Sequence, residues 1–269
     1  MELIKRFGEI IFDILPKSKY SSIIRANIIN LYNNVIKRDT SFVVSYRKGY
    51  WIYKFEQEEF SIKFIEDVSG NLKLIKDYFR YYTINEGDII VDCGAYVGAI
   101  SLYCSKKVGK KGRIISYEPD KDNFRKLLKN IRINNAVNVL PINKGLWSIN
   151  TTLKFYSTSS ESSSFFKDSF SNTRRLKIYE APVVSLEEEI KNLKIERLNF
   201  IKMDVEGAEI NIIKGSIKVL KEYRPYLSIA SYHVVNGYPT YLKLEKILKE
   251  IGYKVWTEGR KWKITYAIP

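Results

Sequence analysis

From Gly87 to the C-terminus the chain repeats one pattern, a short and nearly continuous apolar run followed by an amphipathic stretch, and this limits its fold more than any other feature. DIIVDCG precedes a helical stretch from about Gly98, and RIISYE precedes KDNFRKLLKNIRINN. NVLPIN comes third, LNFIKMD precedes AEINIIKGSIKVLKEY, and PYLSIA is the fifth run. Strands covered on both faces read as continuous apolar runs, and the helices covering them carry a 3.6-residue period. The alternation therefore predicts a Rossmann-like, doubly wound α/β domain with a seven-stranded, mostly parallel sheet. YKVWTE and KWKITYAI, joined through Gly259-Arg260, predict a closing antiparallel hairpin. Residues 148 to 184 interrupt the pattern with STSSESSS and read as an insertion loop with one strand on each side.

Ahead of this region, Ile4, Phe7, Ile10, Ile11, Ile14 and Leu15 recur at spacings of three and four, as do Ile24, Ile28, Leu31, Tyr32, Val35 and Ile36. Two amphipathic helices on either side of Pro16 are expected. SFVVSY, YWIYKF and FSIKFI, rich in β-branched and aromatic residues, predict a three-stranded meander. The domain reading is an N-terminal extension over residues 1–83 and a catalytic domain over residues 84–269.

Two cysteines, Cys93 and Cys104, carry neither a disulfide framework nor metal-ligand spacing, and a single histidine makes a metal site unexpected, with carboxylate-bound magnesium at Asp204 and Glu206 as the alternative. Glu9 and Asp13 interrupt the opening apolar segment, so no signal peptide is expected, and no long uncharged run predicts a membrane-spanning helix. A cytoplasmic protein is expected. The formal charge of +15 has two readings, an A+T-rich coding bias toward lysine or a basic surface for polyanionic partners. Residues 1–40 hold seven Lys/Arg and four Asp/Glu, net 7 − 4 = +3, which suits peripheral contact with an anionic inner membrane face; packing of these helices on the core is the alternative.

The first strand ends in Asp92-Cys93-Gly94-Ala95-Tyr96-Val97-Gly98, directly before a helix. Glycines at such a turn let the backbone approach a ligand at the carboxyl edge of the sheet. The spacing lacks the central glycine that admits a pyrophosphate, so a cofactor without phosphates fits better. Twenty residues beyond Gly98 the second strand ends in Glu118-Pro119, where doubly wound folds set an acidic side chain on ribose hydroxyls. A carboxylate accepts from both hydroxyls, and its field suits a nearby sulfonium. The pair points to S-adenosylmethionine, with Asp92, Gly94, Ala95, Tyr96, Gly98, Glu118, Pro119 and Asp204 as candidate cofactor residues.

The fourth strand brings Lys202-Met203-Asp204-Val205-Glu206-Gly207-Ala208-Glu209 to the same edge. These carboxylates either start a helix, with Glu206 and Glu209 capping it, or put Asp204 beside the sulfonium or the acceptor. His233, just beyond the fifth strand, is a candidate base for an acceptor hydroxyl or a hydrogen-bonded structural residue. His233, Asp204 and Glu206 are the catalytic candidates.

At these residues the chain resembles the FkbM family of methyltransferases. The family pattern of a G-D-x-x-x-D-x-G-A-x-x-G loop, a strand ending in E-P and an I-K-x-D-x-E-G-A-E segment stands here at Gly87 to Gly98, Glu118-Pro119 and Ile201 to Glu209, within residues 86 to 267. The last segment is the specific one. Tyr96 occupies a position where many members have Asn, and Ala230-Ser231 replace an acidic residue common there, whereas Tyr232-His233 is retained in part of the family. The resemblance implies O-methylation of a sugar, polysaccharide or natural-product hydroxyl. An RNA methyltransferase is the alternative suggested by the charge, although neither an Asn/Asp-Pro-Pro-aromatic segment nor a Pro-Cys nucleophile is present. A catalytically silent binding module is disfavoured by the intact Asp92, Gly94, Gly98, Glu118 and Asp204.

Overall fold

Ser18 starts helix α1 (Lys19–Leu31): its hydroxyl accepts from the Ser21 N–H while the Ser21 hydroxyl accepts from the Ser18 N–H, a reciprocal cap. The structure, a computed structural model, describes residues 18–37, 42–158, 163–166, 176–260 and 262–269. The helix expected over residues 4–15 lies outside the described residues, as do residues 159–162 of the serine tract. The chain divides into two compact units, Met1–Lys73 and Leu74–Pro269.

In the first unit α1 continues into a π-helical turn at Tyr32–Lys37. β1 (Val43–Arg47), β2 (Tyr50–Phe55) and β3 (Phe60–Phe64) form the expected antiparallel meander. Val44, Trp51, Tyr53, Phe55, Ile62 and Phe64 are buried in it. The Asn30 side chain fastens α1 to β1 by donating to the Val44 carbonyl at 2.7 Å and accepting from the Val44 N–H at 2.8 Å. Helix α2 (Ser69–Lys73) ends the unit.

The second unit opens with the short helix α3 (Ile75–Tyr78), so the division falls ten residues before the boundary read from the sequence. The Ser228 hydroxyl donates to the Tyr78 carbonyl at 2.6 Å and ties α3 to the sheet, which is why these residues go with the second unit. The sheet strands are β4 (Ile89–Cys93), β5 (Arg113–Tyr117), β6 (Val139–Ile142), β10 (Phe200–Met203), β11 (Tyr226–Ala230), β14 (Lys254–Glu258) and β15 (Ile264–Ile268), and β12 (Val234–Val235) pairs with β13 (Tyr238–Pro239) in a separate antiparallel ribbon. The spatial order in the sheet is β14-β15-β11-β10-β4-β5-β6, with β15 alone antiparallel to its neighbours. Both strands of the closing hairpin thus join the sheet, and the second is inserted between the first and β11.

Helices α4 (Ala99–Val108), α5 (Lys121–Ile133), α6 (Leu186–Asn192), α7 (Glu209–Gly215), α8 (Ile217–Tyr223) and α9 (Tyr241–Glu250) connect the strands. The sequence predicts one continuous helix where α7 and α8 stand. It breaks because Gly215 passes so close to the Ser148 backbone that an added Cβ would collide with it, and the Ser216 hydroxyl bonds back to the Ile212 carbonyl. The insertion folds as a separate sheet of β7 (Gly145–Trp147), β9 (Lys177–Ser185) and β8 (Thr151–Ser157), in that order. Among the described residues no helix is long and apolar enough to cross a membrane. Strand order runs outward from β4 in both directions, so the carboxyl ends of β4 and β10 meet at the topological switch point where such sheets bind ligands.

Candidate active site

The loop after β4 has to turn while lying against the tip of β10, and glycine permits it. Gly94 has φ +75°, and a Cβ there would collide with the Asp204 carbonyl oxygen. The Gly94 and Ala95 N–H groups both donate to the Tyr117 carbonyl, and Gly98 starts α4 at φ +92° with Leu127 filling the space of a side chain. Tyr96 is left-handed at φ 52°, which aims its N–H at Glu118 Oε2, 2.7 Å away. Glu118 Oε1 accepts from the Asp120 N–H at 2.9 Å. The Glu118 carboxyl is 5% exposed. Burial pushes its pKa up to about 8, against the amide bonds from Asp120 and Tyr96.

Beneath the loop, Asp92 and Lys202 form a buried ion pair at 3.0 Å, with side chains 1% and 5% exposed. Lys202 Nζ also donates to the Gly94 carbonyl at 2.8 Å, and the Ser101 hydroxyl donates to Asp92 at 2.5 Å. Burial works against the lysine charge, but Asp92 and then Asp204 more than offset it, and its pKa stays above the ordinary value. The pair locks the cofactor-type loop to β10.

Asp204 follows β10, and its N–H donates to the Cys93 carbonyl. Its Oδ2 accepts from the hydroxyl of buried Tyr78 at 2.8 Å, while Oδ1 has no hydrogen-bond partner among the described residues. Glu206 is left-handed at φ 50°, which returns its carboxylate toward Asp204. His233, three residues past β11, faces both: Nε2 stands 3.7 Å from Asp204 Oδ1 and 3.5 Å from Glu206 Oε1. Its other nitrogen, Nδ1, lies 2.8 Å from Oε1 of the fully buried Glu209. Burial opposes charge on the ring, but Glu209, Glu206 and Asp204 drive its pKa up to about 11. Burial raises the Glu206 pKa while His233 opposes that rise. Glu209 also accepts from the Gly207 N–H at 3.1 Å, so it starts α7 and holds the histidine at once.

Gly94, Tyr96, Glu118, Pro119, Asp204 and Glu206 line one cleft together with the apolar Leu146, Phe155 and Phe165. Asp92, Ala95 and Gly98 shape the loop from below, and His233 backs the two carboxylates. Sequence reasoning missed Lys202 and Tyr78 as site residues. A lysine inside the fully buried strand Phe200–Met203 was the available signal for the first. Tyr78 arrives from a helix 126 residues distant in the chain, and nothing local announces it.

The family model described as the methyltransferase FkbM domain matches residues 92–255. The hexuronic acid methyltransferase AglP of Haloferax volcanii is 26% identical over 157 residues, covering 58% of this chain and 61% of that protein. Methyltransferase 1 of Beauveria bassiana is 24% identical over 194 residues, covering 66% and 76%. The crystal structure of methyltransferase FkbM from Methylobacillus flagellatus KT has the same fold, with a TM-score of 0.52 and 22% identity over 70% of this chain and 45% of that one. The chain therefore spans less than two thirds of the Haloferax protein and under half of the Methylobacillus chain.

Proposed function

The chain belongs to the FkbM methyltransferase family, and from that premise we propose that it is an S-adenosylmethionine-dependent O-methyltransferase acting on a hydroxyl of a glycan, a lipid-linked sugar or a small natural product. One observation carries the reading: a buried carboxylate behind a glycine loop and an Asp–Glu–His cluster open onto the same cleft. The residues fit the cofactor. Gly94 keeps the loop free of a Cβ, Glu118 suits a ribose diol, Leu146, Phe155 and Phe165 suit an adenine face, and the Asp204 and Glu206 charges suit a sulfonium.

The cofactor, when bound, supplies a methyl group activated by its attachment to positive sulfur. Glu118 and the Gly94–Gly98 backbone hold the nucleoside. Asp204, oriented through Oδ2 by Tyr78, lines the cleft beside Glu206. The hydroxyl proton passes to the Asp204 and Glu206 pair as the oxygen is alkylated, leaving a neutral ether. His233, kept cationic by the surrounding carboxylates, stabilises the pair and sets its orientation. Alignment in a closed cleft supplies much of the rate. The sugar acceptor is supported by the similarity to AglP, named as a hexuronic acid methyltransferase.

Incubation with labelled S-adenosylmethionine and separated glycan, lipid, small-molecule and RNA fractions tests the proposal. Label is expected in an alkali-stable ether of a glycan or small hydroxylated acceptor; label confined to RNA would favour the alternative and remove this one. The expected location is the cytoplasm. Peripheral contact with an anionic inner membrane face is favoured by α1, which turns Tyr20, Ile24 and Leu31 to solvent at 78%, 46% and 63% exposure.

A further inference from the structure

We propose that Asp204, Glu206 and His233 bind a divalent metal ion at the mouth of the cleft. The proposal rests on the reading of this cleft as a methyltransferase site and adds to it a cation and a class of acceptor. With one histidine and no ligand spacing, the sequence shows no metal motif; the fold makes one from the ends of β10 and β11.

One ligand atom from each of the three residues lies within 4.8 Å of the others. Nε2 is 3.7 Å from Asp204 Oδ1 and 3.5 Å from Glu206 Oε1, too long for good hydrogen bonds. These separations are those of neighbouring ligands around one cation, which stand about 2.8–3.7 Å apart when each ligand is about 2.0–2.3 Å from the metal. The independent sign is the histidine itself. Its side chain is 8% exposed, and Nε2 is aimed between the two carboxylates without a hydrogen-bond partner among the described residues. Asp204 Oδ1 is likewise buried and unpartnered. On the opposite side of the ring Nδ1 stands 2.8 Å from Glu209 Oε1, an ion-pair contact outside hydrogen-bond geometry, and a carboxylate on that nitrogen is the kind of neighbour that orients a metal-binding imidazole. Three carboxylates around one imidazole also leave a surplus of negative charge in a poorly solvated place, and a divalent cation neutralises it better than a single proton.

One nitrogen and two oxygen ligands suit a first-row ion such as Mn²⁺. Its open positions would face the cleft, so the preferred acceptor is one that chelates through two neighbouring oxygens, a vicinal diol or a hydroxy acid. Bound there, its hydroxyl loses a proton more readily, and the second carboxylate oxygen of Glu206, a side chain 23% exposed that lines the cleft, would receive it.

The test uses the full chain, freed of metal by chelation and dialysis. Mn²⁺ binding is followed by calorimetry and by the electron paramagnetic resonance signal of free Mn²⁺, with S-adenosylmethionine titrated in parallel. One Mn²⁺ per chain is expected. Glu206→Gln should weaken binding by about ten-fold or more, and Glu209→Gln, through loss of imidazole positioning, by about 10–100-fold. The Glu209→Gln variant, whose side chain lies outside the cleft, should keep its affinity for S-adenosylmethionine. A folded chain that binds S-adenosylmethionine but no Mn²⁺ at millimolar concentration, or variants that bind Mn²⁺ like the parent, would overturn the metal site. Mn²⁺ binding without S-adenosylmethionine binding would leave the site standing and defeat the methyltransferase reading.

Discussion

Glu118 shows how much a single buried carboxylate decides. Its two oxygens already accept from Tyr96 and Asp120, and each keeps a further acceptor direction for ribose hydroxyls. Charge-assisted bonds contribute about 1.5–3 kcal/mol, so Glu118→Ala should weaken S-adenosylmethionine binding by about ten-fold or more in titration calorimetry. With its pKa at about 8, the group is mostly protonated at pH 7. If the ionised form binds the cofactor, affinity should rise by up to about ten-fold per pH unit below 8 and level off above it. In the free protein a raised carboxyl pKa has the opposite consequence. Its stabilising contribution is present below the ordinary value near 4.5 and is lost as pH climbs through about 8. An affinity that is flat from pH 6 to 9 would contradict this account of Glu118.

His233 belongs to the same scale. His233→Gln should lower turnover by about ten-fold or more through loss of the charge that steadies Asp204 and Glu206, while leaving cofactor affinity nearly constant, because the ring faces Asp204, Glu206 and Glu209 and does not line the cleft beside Glu118. Wild-type turnover in that variant would return His233 to a structural role. The juxtaposition of Gly94, Glu118 and Asp204 was legible in the sequence because strand ends in a parallel sheet all reach one edge. The pairing of His233 with Glu209 was not. Glu209 reads as a helix-start residue, and only the packing of α7 under the β11 loop shows that it does both.

At the scale of elements, β4 and β10 act as one device. Lys202 crosses between them, pairing Asp92 and capping the Gly94 carbonyl, so the loop geometry depends on a charge hidden in the sheet. Lys202→Met should destabilise the fold by about 3–5 kcal/mol in urea unfolding, since it leaves Asp92 as an unpaired buried charge. A loss under about 1 kcal/mol would mean that the pair carries little of the structure. Apolar runs and helical periods made the alternation of strands and helices legible. They could not show the break between α7 and α8, which is set by the approach of Gly215 to Ser148, a contact between residues far apart in the chain. Nor could the serine-rich tract announce β7 joining β8 and β9 in a separate sheet.

At the scale of the whole molecule, two units and a charge of +15 set what the chain meets before chemistry begins. The apolar stripe of α1 in a basic protein should favour anionic vesicles over neutral ones. Ile24→Glu with Leu31→Glu should remove the full chain from the floating fraction with anionic liposomes; equal flotation of parent and variant would end the membrane reading. Charge and length did not distinguish a glycan from RNA as the partner, because positive charge attracts polyanions whatever their sequence and the glycan reading rests on the family resemblance instead. The central claim, that the β4–β10 edge is an S-adenosylmethionine site, is tested most directly by titrating the folded full chain with that cofactor. One saturable site, weakened about ten-fold or more by Glu118→Ala, is the predicted result. A chain with a cooperative thermal transition that takes up no S-adenosylmethionine at millimolar concentration would contradict it.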